Sequence, residues 1–346
     1  MKPVTIKDLA KHLLLSYSTV SRALSDDKNI RKETRERVIE AAREFGYQPN
    51  TTAQNLRLGR SYSIGVIVPE MITPFASQVL EGIQEILGTK GYKVIIAQSD
   101  ENPETEKKNL LMMEQFRVDG LIISLTHQTY NNEILLQLQH NGMQMVFYDR
   151  IPSNLDVTKV IVNDYAKSLL MVEHLISSGR KQIVHIQGPD HLHNAKERAR
   201  GYSDALAKFQ IQKKSDYIIK AGLTFEDGRQ AAEELLRKKI PFDGVFAFTD
   251  TLAIGVMNYL REQNLKIPED VAIASFSGTK LSTIVYPQLT TVEQPLNEMG
   301  RVAAELLLEK ITDNTKPDKT IILSAELRFR ASTKLSENPT IKDRTI

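Results

Sequence analysis

From Ser61 onward the chain alternates short β-branched, apolar runs with longer stretches whose apolar residues recur at helical spacing, and it does so twice over. That alternation is the mark of parallel sheets covered by helices, so the expected fold is α/β. A first set of strands is expected at 64–68, 93–97, 120–124 and 145–148, with helices near 76–89, 104–116 and 131–140. A second set is expected at 182–187, 217–220, 245–248 and 271–276, again with helices between. Two doubly wound parallel-sheet lobes follow, and open sheets of this kind bind ligands outside the carboxyl ends of their strands. Near the end, 289–292 reads as a strand, 295–310 as a helix and 320–329 as a final strand pair, which must join one lobe or the other.

The first fifty residues follow a different pattern. Apolar residues recur at helical spacing three times between Thr5 and Tyr47, which predicts a small all-α head. Helix one carries Ile6, Leu9, Ala10 and Leu13 on one face, and Thr5 with Asp8 resembles a capping box. Helix two follows Ser16 as N-cap, with Val20, Ala23 and Leu24 inward and Tyr17, Ser18, Ser21 and Arg22 outward. Helix three spans about 32–45 with Val38, Ala41, Ala42 and Phe45 inward, and Gly46 is placed to end it in a left-handed turn. Residues 50–61 are polar with fair helix propensity, too short to be stable alone, and read as a hinge or linker. The expected division is therefore a head at 1–49, a hinge at 50–61, a first lobe at 62–162 and a second at 163–290. Residues 291–330 are shared between the lobes, and 331–346 read as a polar tail.

Charge separates these regions. Residues 1–60 hold twelve Lys or Arg against seven Asp or Glu, a net +5, whereas the remainder hold 33 against 36, a net −3. A phosphate backbone rewards such a concentration of positive charge through counterion release. The absence of cysteine excludes disulfides and thiolate chemistry and fits a reducing compartment. With no membrane-length apolar run and no apolar stretch at the start, the protein is expected in the cytoplasm, away from membranes.

The run Thr5-Ile6-Lys7-Asp8-Leu9-Ala10-Lys11, followed by Ser16-Tyr17-Ser18-Thr19-Val20-Ser21-Arg22-Ala23-Leu24, resembles the head of the LacI/GalR family of bacterial repressors. The likeness continues through Thr34-Arg35-Glu36-Arg37-Val38, Gly46-Tyr47-Gln48-Pro49-Asn50 and Ala53-Gln54-Asn55-Leu56 to Pro287-Gln288-Leu289-Thr290-Thr291-Val292, covering residues 4–330. It implies a dimer whose paired helix-turn-helix heads bind a near-palindromic operator in double-stranded DNA, controlled by a small effector in the cleft. In such a head the second helix enters the major groove, which puts Tyr17, Ser18 and Arg22 on base edges and Ser16, Thr19 and Ser21 on phosphates. Arg22 is the strongest candidate, because a guanidinium can donate twice to guanine. In the hinge the resemblance makes Leu56 a minor-groove wedge flanked by Ala53 and Arg57, with Arg57 and Arg60 suited to phosphates. One departure is the interhelical turn, where the family usually carries Gly and this chain has Leu13-Leu14-Leu15; either the turn relaxes into another conformation or a left-handed Leu14 accepts about 1 kcal/mol of strain.

In the body, the resemblance assigns effector contacts to Phe75, Arg150, Arg198 and Asp250, each at a strand end or helix start. Carboxylate and guanidinium groups pair with vicinal hydroxyls and an aromatic face covers a sugar ring, so a sugar or sugar derivative is expected. Two arginines also suit a sugar acid or sugar phosphate. Ser275-Phe276-Ser277 stands where the family often has Gly-Phe-Asp, so Phe276 and Ser277 join the expected contacts with a hydroxyl in place of the carboxylate. Asn163-Asp164 is either ligand-facing or a helix cap.

No catalytic constellation is present: the chain has no G-x-S-x-G elbow, phosphate loop or G-x-G-x-x-G, and no enzyme or cofactor is expected. His191 and His193 lack clustered partners and read as loop histidines, leaving no metal site. A periplasmic sugar-binding protein would share the body but needs a signal peptide and no basic head. The tail lacks leucine heptads, which argues against a coiled-coil tetramer.

Overall fold

The computed structural model describes residues 4–47, 60–129, 131–153 and 155–333. Its contacts divide it at Ser61 into a small unit and a large one.

The small unit is the three-helix head. Helix α1 (Ile6–Leu13) starts with a reciprocal cap, Thr5 accepting from the Asp8 amide while Asp8 accepts from the Thr5 amide at 2.9 Å. It stops at Leu14, which adopts φ 54° and ψ 37°. The non-glycine turn therefore keeps the left-handed geometry, and the amides of Leu14 and Leu15 close it on the Lys11 and Ala10 carbonyls. Helix α2 (Tyr17–Leu24) is capped by Ser16, whose Oγ accepts from the Thr19 amide at 3.1 Å. Helix α3 (Lys32–Glu44) ends before Gly46 at φ 61°. Leu9, Val20 and Val38 meet at the centre with no exposed surface. Phe45 corrects the expected core: it is 41% exposed and rests on the His12 ring, while Tyr47 packs against the core. Phe45 follows the last helical residue, Glu44, and lies beside Gly46, where the chain turns away before the ring can reach the interior. Arg35 ties α3 to the loop after α2 by donating to Asp26 and to the Asp27 and Ile30 carbonyls.

The large unit contains two six-stranded sheets. The first lobe is built on β1 (Ser63–Val68), β2 (Lys93–Gln98), β3 (Gly120–Ile123), β4 (Gln144–Tyr148) and β5 (Thr158–Val162), joined by α4 (Pro74–Thr89), α5 (Pro103–Gln115) and α6 (Asn132–His140). The second is built on β6 (Ile183–Gln187), β7 (Ile218–Lys220), β8 (Gly244–Ala247), β9 (Ala272–Ser277) and β10 (Thr290–Glu293). Its helices are α7 (Asp164–Ser177), α8 (His193–Lys208), α9 (Phe225–Arg237), α10 (Asp250–Glu262) and the short α11 (Leu281–Ile284). The chain then returns to the first lobe with α12 (Leu296–Thr312) and β11 (Thr320–Leu323), and crosses back for β12 (Glu326–Arg328). The sheet orders are β11-β5-β4-β3-β1-β2 and β12-β10-β9-β8-β6-β7. Every pairing is parallel except β10 with β12. The doubly wound architecture expected from the alternation is thus found in both lobes.

Three readings need correcting. Strand β5 falls where none was expected. The pair expected at 320–329 is two strands that join different sheets, because the two residues between them carry the chain from one lobe to the other. Ser332 and Thr333, placed in the polar tail, are buried: Ser332 Oγ donates to the Ile273 carbonyl and accepts from the Thr290 amide, and Thr333 bonds His174 at 2.9 Å. Short hydroxyl side chains fit there because each satisfies buried polar groups of the second lobe. The return helix α12 lies tight on α4; a Cβ on Gly82 would come within 2.0 Å of the Asn297 carbonyl, so only glycine permits that approach.

Candidate functional site

In the head, Ser16, Tyr17, Ser18 and Arg22 are exposed on and beside α2, while Thr19 and Ser21 are half-buried at its flanks. Ser16 Oγ bonds the hydroxyls of Ser18 and Thr19, each at 2.8 Å, so the start of α2 offers a cluster of hydroxyls. The Arg22 side chain is 64% exposed and its nearest carboxylate, Asp27, is 4.0 Å away. A pair so long and so wet holds the guanidinium weakly and leaves its donors usable. The hinge candidates Ala53, Leu56 and Arg57 lie outside the described residues, and Arg60 is exposed.

In the body, the carboxyl ends of the strands of both sheets open on one cleft of about 660 Å³, within the range of small-molecule sites. Phe75, Arg150, Arg198, Asp250 and Ser277 all line it. Phe75 is half-buried in the first turn of α4. Phe276 does not line it: the ring is fully buried and supports Arg198, whose guanidinium carbon sits 3.8 Å above it and 4.5 Å from Phe248. Strand alternation explains this, since Phe276 and Ser277 point to opposite faces of β9.

Both arginines are already engaged. Arg150 donates to Glu101 at 2.6 Å, and the other Glu101 oxygen takes the His127 amide at 3.0 Å and contacts its ring at 2.9 Å. Burial alone would raise Glu101, but the Arg150 charge and these hydrogen bonds hold it below the ordinary carboxylate value. Arg198, 2% exposed, donates through Nε to Asp164 at 2.8 Å and through Nη1 to the Phe248 carbonyl at 2.7 Å. Burial outweighs the pull of Arg198 and lifts the Asp164 carboxyl to about 6. Asn163 is the helix cap of the two alternatives, accepting from the Ala166 amide at 3.0 Å.

Asp250 is saturated. One oxygen accepts from Ser275 and Thr291, at 2.7 and 2.8 Å, and the other from the Thr279 amide and hydroxyl, at 2.7 and 2.9 Å. Four donors from β9, β10 and the loop after β9 converge on a carboxylate with no exposed surface, so its evident work is to fix that wall of the cleft. Burial raises its pKa against those hydrogen bonds.

Of the lining residues that escaped the sequence reading, two carry amide atoms without partners. Asn194 on α8 donates to Asp149 at 3.2 Å but its Oδ1 has no partner, and Gln294, 4% exposed, has none for either amide atom. Only the burial of their amides marks them, which no local pattern encodes. Among the described residues no group of three or more acidic or histidine side chains is placed to hold a metal ion, and His191 lies 3.8 Å from Asp190. Among the same residues no helix is long and apolar enough to cross a membrane.

Comparison with known proteins covers both units. Residues 61–333 match the periplasmic binding proteins and sugar binding domain of LacI family, and residues 5–50 match the bacterial regulatory proteins of the lacI family. The chain is 31% identical to the ribose operon repressor of Halalkalibacterium halodurans, over 96% of this chain and 98% of that protein. It is 32% identical to catabolite control protein A of Priestia megaterium, over 96% and 99%. A lac repressor dimer bound to operator and the anti-inducer ONPF matches with a TM-score of 0.85 at 26% identity, covering 96% of this chain and 99% of that one. A LacI family regulator from Enterococcus faecium with bound ribose matches with a TM-score of 0.71 at 30% identity, over 78% and 98%. In head and body alike, the chain belongs to the LacI family of bacterial regulatory proteins.

Proposed function

We propose that the protein is a cytoplasmic transcriptional repressor, a homodimer whose paired heads grip a near-palindromic operator and whose grip is controlled by a sugar or sugar derivative bound between the lobes. The observation that carries this reading is the conjunction in one chain of an exposed, hydroxyl-rich α2 bearing Arg22 with a two-lobed cleft lined by Phe75, Arg150 and Arg198. Helix α2 enters the major groove, Tyr17, Ser18 and Arg22 read base edges, and Ser16, Thr19 and Ser21 contact phosphates. Ala53, Leu56 and Arg57 form the minor-groove hinge. The effector acts only through its different affinity for the two arrangements of the dimer, and by lowering operator affinity it relieves repression.

Selection of binding sites from random duplex DNA at moderate salt tests this. The expected result is an enriched near-palindrome for the wild type and a relaxed preference at one base pair of each half-site for Arg22→Ala, with affinity down about tenfold or more. Salt-sensitive binding with no enriched sequence contradicts it.

A further inference from the structure

The cleft carries an inventory of charge that narrows its ligand. Its lining includes six carboxylates, Glu70, Asp100, Glu101, Asp149, Glu226 and Asp250, against two arginines. Each arginine is paired before any ligand arrives, Arg150 with Glu101 at 2.6 Å and Arg198 with Asp164 at 2.8 Å. A phosphate or carboxylate entering this space meets no free cation among the lining residues and an excess of negative charge. Moving an existing pair apart to meet it would strand Glu101 or the buried Asp164.

The groups that do lack partners are neutral. Asn194 and Gln294 line the cleft, and Asn194 Oδ1 and both amide atoms of Gln294 are buried and make no hydrogen bond. Buried polar atoms without partners are costly, and a carboxamide can both accept from and donate to a hydroxyl. Ser277, where the family often has a carboxylate, adds a hydroxyl that can do the same. Half-buried Phe75 and exposed Phe225 supply apolar surface for a ring face.

We infer that the cleft selects an uncharged, polyhydroxylated ring, read by the carboxamides of Asn194 and Gln294, and discriminates against phosphorylated and carboxylated sugars. This rests on the effector reading above and fixes the charge class of the ligand. A site with donors and acceptors of neutral type gains from hydroxyls, and Glu70 and Asp100, the lining carboxylates outside any ion pair and not saturated as Asp250 is, supply the repulsion that rejects an anion.

The test is calorimetric titration of the full-length protein with a panel of pentoses and hexoses, each beside its phosphate ester and its sugar acid. In every pair that binds, the neutral member is expected to bind about tenfold tighter or more. Equal or tighter binding of a phosphate ester or acid overturns the inference and leaves the sugar-controlled repressor intact. Binding by no member of the panel overturns both the inference and the sugar part of that reading, while operator selection still reports on the head.

Gln294→Leu supplies a second arm. It removes two unpartnered polar atoms from a buried position, so melting temperature is expected to hold or rise while affinity for the neutral sugar falls about tenfold. Unchanged affinity in a stably folded Gln294→Leu protein overturns the assignment of Gln294, and a fall in both quantities assigns it a structural role instead.

Discussion

The two lobes of the body share a strand order and differ in how they hold the charged groups that face their common cleft. In the first lobe the Arg150 and Glu101 side chains keep 11% and 20% of their surface, and His127 completes the cluster at the rim. In the second lobe Arg198 and Asp164 keep 2% and 8%, two phenylalanine rings clamp the guanidinium, and Asp250 is walled in by four donors. The second lobe is thus a wall whose side chains are fixed before a ligand arrives, while the first has groups that water and ligand can still reach. A fixed wall lowers the ordering cost of binding, and a looser one leaves room for closure.

The largest effect should come from removing the anchor of each wall. Asp250→Ala strands four buried donors and is expected to destabilise the body by about 3–5 kcal/mol. Glu101→Ala, at the wetter rim, is expected to cost about 1–2 kcal/mol. Urea unfolding of both variants measures the contrast, and equal losses would remove it.

Acid should separate the lobes next. His174 and His185, both in the second lobe, are pushed by burial to about 4. Each binds a proton more readily when unfolded, so the stability it supports is complete above 6.5 and is lost as pH falls toward 4. At pH 5 the loss is about 2 kcal/mol for each. Asp164, lifted to about 6, and Asp250, also raised, work in the opposite sense and offset part of it, because they take up protons while folded. Glu101 in the first lobe is held below its ordinary value, so its contribution is lost only at still lower pH. Hydrogen exchange at pH 7 and 5 should therefore show the second lobe loosening first, and His174→Gln should reduce the loss between those pH values by about 2 kcal/mol. Equal loosening of both lobes would contradict the assignment.

The smallest effect concerns the backbone at the cleft. Each lobe ends a central strand with a non-glycine residue at positive φ: Asp149 at 55° in the first and Ser277 at 138° in the second. The second conformation belongs almost wholly to glycine, whereas aspartate tolerates the first. Ser277→Gly should stabilise the protein by about 1 kcal/mol, whereas Asp149→Gly, which removes the carboxylate that accepts from Asn194, should not stabilise it, as read from thermal unfolding.

The sequence disclosed the elements that repeat and hid those that depend on distant partners. Caps at Thr5 and Ser16 and the left-handed Gly46 were legible because their partners lie within a few residues. The arginines and Phe75 were legible as cleft residues because the family resemblance assigns them there, at the strand ends and helix starts that mark a ligand crevice. The true work of Asp250 was not, since its donors lie 25 to 41 residues away. Asn194 and Gln294 were invisible because a buried amide without a partner is a fact of packing alone. The segment 320–329 was misread because local alternation reports a strand but not the sheet it joins.

Operator titration of the full-length dimer, with and without the neutral sugar that binds most tightly, tests the central claim that the cleft controls the heads. The account predicts that saturating sugar weakens operator affinity about tenfold in the wild type, and by less at the same concentration in the folded Gln294→Leu protein. An operator affinity unmoved while calorimetry shows the wild-type cleft occupied would contradict it.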